Sequence, residues 1–109
     1  MIERRKHSRV NIHCRVFFEA GDMHDPEAAQ DIGIALDISE KGMLLESGTP
    51  IHAPTIKVVV PLREKRAVEF MGNVIYSIPM PDERYHTGIV FHGAGDDIAE
   101  LVELLRRQS

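Results

Sequence analysis

Apolar and polar residues alternate along most of this chain, the period that sends successive side chains of a β-strand to opposite faces. From Asn11 to Phe18, Ile12, Cys14, Val16 and Phe18 alternate with Asn11, His13 and Arg15. From Asp31 to Ile38 the pattern returns through Ile32, Ile34, Leu36 and Ile38. Met43 to Glu46 resumes an extended apolar run after the turn Ser39-Glu-Lys-Gly42, where Gly42 is free to take positive φ. Thr55 to Leu62 is rich in β-branched residues and places Ile56, Val58, Val60 and Leu62 on one face. Ala67 to Tyr76 lines up Val68, Phe70, Gly72, Val74 and Tyr76, and His86 to His92 forms a last short strand. Between these runs stand polar or proline-bearing loops: Gly21 to Gln30, the stretch bracketed by Pro50 and Pro54, the charged hairpin Arg63 to Arg66, and the segment from Pro79 to Arg84.

The period changes at the end. Ile98, Leu101, Val102 and Leu105 fit one face of an amphipathic helix. Asp97 and Glu100 match a capping box, and Arg106 and Arg107 suit the negative end of the helix dipole. The fold implied is mainly β: a small antiparallel barrel of six to seven strands, closed or plugged by a C-terminal α-helix. Residues 1–9 carry no periodicity and read as a flexible N-terminal arm, with residues 10–109 forming the barrel and helix.

Composition narrows the function. At 109 residues the chain is sized for one core. Thirteen Lys and Arg face 17 Asp and Glu, a net charge of −4, which argues against a general DNA- or RNA-binding role. The positive charge is concentrated: Arg4, Arg5, Lys6 and Arg9 fall together ahead of the first strand. A local basic cluster on an acidic protein suits a small anionic ligand. No apolar run is long enough to span a bilayer, and no apolar segment follows the basic N-terminus, so neither membrane insertion nor secretion is expected and the expected location is cytoplasmic. The single cysteine, Cys14, lies in an alternating strand and reads as a small buried hydrophobe. The six histidines show no helical metal-ligand spacing, and neither a nucleophile elbow nor a glycine-rich phosphate loop is present. An enzyme, a cofactor and a metal site are therefore not expected.

Two clusters remain. Arg4-Arg5-x-x-x-Arg9 precedes the first strand, and Asp37-x-Ser39-x-x-Gly42 closes the second. Alone, the first is a solvated arm and the second a chain reversal. In this order within an all-β domain they resemble the PilZ family. Gly72-Asn-Val-Ile-Tyr76 resembles that family's late barrel strand, and Gly88-Ile-Val-Phe91 its Gly-x-x-Phe strand before the helix.

The resemblance implies a receptor for the bacterial second messenger cyclic di-GMP, with Arg4, Arg5, Arg9, Asp37, Ser39 and Gly42 as ligand-binding residues and Tyr76 near a guanine. The chemistry suits the set. An arginine fork holds a phosphate or the O6 and N7 edge of guanine, and its plane stacks on a base. A carboxylate accepts from guanine N1–H and the exocyclic amine. An arginine at position 4, directly before RxxxR, implies two stacked ligand molecules per chain. The mechanism expected is that of an adaptor switched by an order transition, with ligand ordering the arm over the Asp37–Gly42 turn. An effector protein would read the altered surface to control motility, pili, biofilm or virulence. Three rivals stand beside this reading: a PilZ-like interaction module that binds no nucleotide, a small nucleic-acid-binding barrel, and a phosphodiesterase.

Overall fold

A computed structural model describes residues 9–21, 30–62, 65–92 and 100–104. Six strands run β1 (Val10–Ala20), β2 (Gln30–Ile38), β3 (Gly42–Ser47), β4 (Thr55–Pro61), β5 (Ala67–Pro79) and β6 (Tyr85–Phe91). They form a closed antiparallel barrel in the order β1-β2-β3-β6-β5-β4. Closure removes exposed sheet edges. Residues 100–104 are helical and are called α1. The rest of the expected helix, with Asp97, Ile98, Leu105, Arg106 and Arg107, lies outside the described residues.

In most strands the alternation read from the sequence is the alternation of burial; β2 is the exception, where Gly33 and Ala35 face the core and Ile32 is 52% exposed, because the bulge between Ala35 and Asp37 reverses the period that Ile38 keeps. In β4, Ile56, Val58 and Val60 are buried, and in β1, Ile12, Val16 and Phe18 are. Phe70 and Phe91 meet across the core with ring centroids 5.1 Å apart. Leu101 and Val102 of α1 join the same cluster, while Glu100 and Glu103 face outward. Cys14 packs against the core from a partly buried position, and burial pushes its thiol pKa up, so it stays protonated at neutral pH.

One end of the interior is polar. Thr87 and Ser47 are fully buried, and the Ser77 and Thr87 hydroxyls lie 2.8 Å apart. Ser77 Oγ accepts from the Ile51 backbone N–H at 3.1 Å, and the Ser47 hydroxyl donates to the Thr49 carbonyl at 2.7 Å. These bonds tie the loop after β3 across the barrel end, with no buried side-chain polar atom left unpaired among the described residues.

Three register shifts depart from simple alternation: between Asn11 and Cys14, between Ala35 and Asp37, and between Val74 and Tyr76. The last corrects the sequence reading of β5. Tyr76 was expected on the face of Phe70 and Val74, but the bulge turns Ser77 toward the interior and leaves Tyr76 45% exposed outside. The shifts bring Asn11, Asp37, Leu44, Gly88 and Tyr76 into one cross-strand row, each paired with the next.

Candidate functional site

The site is built around the end of β2. Asp37 sits at the bulge there, its side chain largely shielded at 17% exposure, and Arg9 lies just before β1. Arg9 Nη1 donates to Asp37 Oδ1 at 2.6 Å, joining the basic segment to the DxSxxG turn across 28 residues of sequence. The Arg9 side chain is half exposed. An arm clear of the barrel through Arg9 was the expectation from sequence; its last residue instead stands against the barrel because Asp37 offers a charge partner. Arg4 and Arg5 lie outside the described residues.

Ser39 is buried, and its hydroxyl is engaged in the turn. Its backbone N–H donates to the Gly42 carbonyl at 2.9 Å, and its Oγ accepts from the Lys41 N–H at 3.2 Å. Gly42 does not use the positive φ open to it; among the described residues Gly21 is the only glycine that does. The reason for glycine at 42 is close approach. Gly42 pairs with Val90, the Phe91 N–H donates to the Lys41 carbonyl at 2.8 Å, and a Cβ at 42 would run into the Ile89 carbonyl oxygen. Glycine here lets β3 press against β6, which fixes the height of the turn carrying Ser39.

Beside this turn the outer wall is apolar. Arg9, Leu44, Ile75, Tyr76, Gly88 and Val90, with parts of Met43 and Ile89, line a shallow recess of about 140 Å³. Ile75 is 61% exposed and Val90 45%. Tyr76 lies over Gly88, its cross-strand partner. The structure thus brings Arg9, Asp37 and Tyr76 to one side of the barrel, with the Ser39–Gly42 turn at its border. Leu44, Ile75, Gly88 and Val90 were missed from sequence. For Ile75 and Val90 the signal was present as unbroken apolar runs, Val74-Ile-Tyr76 and Ile89-Val-Phe91, where strict alternation calls for a polar residue.

Neighbouring this recess is a second outward cluster. Glu46 accepts from Arg84 Nε at 2.8 Å and stands 3.2 Å from His86 Nε2. Among the described residues no group of His, Cys, Asp and Glu is arranged to hold a metal ion. No described helix is long and apolar enough to cross a membrane.

The PilZ domain family model matches residues 3–107, nearly the whole chain. This chain belongs to the PilZ family. Its fold is shared with solved structures of low sequence identity. The Bacillus subtilis inhibitor of motility, MotI/DgrA, superposes with a TM-score of 0.72 at 17% identity, covering 98% of this PilZ chain and 52% of that protein. The MrkH–c-di-GMP complex from K. pneumonia gives 0.69 at 20% identity, covering 98% and 52%. The PilZ domain of Escherichia coli YcgR with c-di-GMP gives 0.65 at 12% identity, covering 97% and 94%. The PilZ chain therefore spans about half the length of MotI/DgrA and MrkH, and nearly all of the isolated YcgR domain. No curated protein matches it.

Proposed function

We propose that this PilZ chain is a cyclic di-GMP receptor and adaptor without enzymatic activity, and that its ligand occupies the outer face bounded by Arg9, Asp37 and Tyr76. The observation that carries the reading is the Arg9–Asp37 contact at the rim of an apolar recess. It juxtaposes a cation for phosphate or the guanine O6/N7 edge, a carboxylate for guanine N1–H and N2, and a flat apolar surface for the base. Family membership supports it, as do the c-di-GMP complexes of MrkH and the YcgR domain.

With its arginine half exposed, the Arg9–Asp37 pair contributes about 1 kcal/mol, so a ligand separates it at little cost. Micromolar binding needs about −8 kcal/mol. Charge-assisted hydrogen bonds of roughly 1.5–3 kcal/mol each, with stacking, reach that value after the cost of ordering side chains. Arg4 and Arg5 extend the cationic side, and Arg4 favours a second, stacked ligand. Gly42 and Ser39 act by setting the turn at the border of the site. The arm then closes over the ligand, and the changed surface is read by an effector protein in motility, pilus, biofilm or virulence control.

Calorimetric titration with cyclic di-GMP, against cyclic di-AMP, tests this. Binding of two molecules of the guanine nucleotide per chain and none of the adenine one is expected. No binding of either moves the reading to a protein-interaction module. Hydrogen exchange across residues 2–10 tests the arm: slower exchange with ligand is expected, and equal exchange contradicts the closing step.

A further inference from the structure

Of the glycines on the outer face, Gly88 has a distinctive environment. Its three nearest neighbours, from the position a Cβ would occupy, are all ring atoms of Tyr76, with Cζ at 2.7 Å. Gly88 is buried although it points outward, because the ring covers it. The β5 bulge sets Tyr76 directly across from it, and the pair belongs to the row that also contains Asp37 and Leu44. Tyr76 is nonetheless 45% exposed, so the part of the residue that does not cover Gly88 is turned toward solvent beside the Arg9 recess.

From this contact we infer that Gly88 is a positioning residue for the nucleotide. It touches no ligand; it lets the Tyr76 ring lie flat on the wall, so that a purine stacks on the outer ring face while Arg9 reaches its edge or phosphate. Any side chain at 88 lifts the ring from the sheet and tilts it into the recess. Because the three nearest obstructing atoms belong to one flexible side chain, Gly88→Ala is expected to be accommodated by moving that ring and to fold, which the unfolding temperature checks. Gly42 and Gly72 differ: a Cβ there meets backbone atoms of β6, at Ile89 and at Val90 respectively. The inference rests on the cyclic di-GMP reading and adds to it a residue that acts only through another.

A double-mutant cycle tests it. Cyclic di-GMP affinity and thermal unfolding are measured for the full chain, Gly88→Ala, Tyr76→Ala and the double variant. Gly88→Ala is expected to weaken binding about tenfold in the native background and less than twofold in the Tyr76→Ala background. Fluorescence gives a second readout, since the chain has two tyrosines and no tryptophan. In a Tyr85→Phe chain, emission comes from Tyr76 alone, and saturating ligand is expected to quench it; adding Gly88→Ala is expected to reduce that quenching. Equal loss of affinity in both backgrounds, or coupling in unfolding temperature with none in affinity, overturns the inference and leaves Tyr76 as a cover for a strand glycine. Absence of nucleotide binding by the unmodified chain overturns both this inference and the receptor reading, whereas the first two results leave the receptor reading standing.

Discussion

Gly42 and Gly88 pair with neighbouring residues across the outer face, yet each meets a different kind of obstacle. Against Gly42 stands the β6 backbone; against Gly88 stands a side chain. The first glycine holds two strands at a fixed separation and with them the turn that carries Ser39. The second holds a ring that is free to move once its seat is altered. The site thus joins a rigid corner at Asp37–Gly42 to an adjustable apolar wall on β5 and β6. In the proposed receptor, the corner would set where the ligand is read, and the wall how closely a flat surface meets it.

Substitutions separate the two. The largest effect is expected at the rigid corner. Gly42→Ala forces a methyl group into the Ile89 carbonyl and costs about 3 kcal/mol or more in stability, read by denaturant unfolding, with loss of binding as a consequence. Asp37→Ala leaves the barrel standing, since the ion pair it breaks has a half-exposed arginine and lies outside the apolar core. It is expected to weaken cyclic di-GMP binding by roughly 2–5 kcal/mol by calorimetry, through the unpaired guanine edge and arginine it leaves behind. Tyr76→Ala removes a stacking surface worth roughly 1–3 kcal/mol and is expected to reduce affinity about tenfold. The smallest effect is expected one outward row away. Glu46→Gln weakens surface pairs with Arg84 and His86, changes stability by less than about 1 kcal/mol, and leaves nucleotide affinity unchanged. A Gly42→Ala chain that folds normally, or an Asp37→Ala chain that unfolds, would erase the distinction between the corner and the wall.

Much of this was legible in the order of residues. The strands were, because a barrel wall buried on one side imposes a two-residue period, and Ile56, Val58 and Val60 keep it without a break. Arg9 and Asp37 were each legible as motif residues with chemistry suited to a nucleotide, but not as partners of one another; their contact is visible only in the structure. The wall was not legible either. Alternation assumes an unbroken ladder, and the bulge between Val74 and Tyr76 inserts one residue, which reverses every side chain after it. Tyr76 therefore faces out where the period sends it in, and Ser77 goes in to meet Thr87. Gly42 was legible as a turn glycine free to take positive φ or to admit a close approach; that the close approach is made by the Ile89 carbonyl of β6 was not. Contacts between distant segments of that kind leave no local trace in sequence.

The central claim is that Arg9, held beside Asp37 at the rim of the recess, binds the nucleotide. It is tested most directly by titrating the unmodified chain and Arg9→Ala with cyclic di-GMP in one calorimetric series, with thermal unfolding as a control. The account predicts saturable binding by the unmodified chain, a loss of about two orders of magnitude or more in the variant, and nearly equal unfolding temperatures. Equal affinity in the two chains would contradict it.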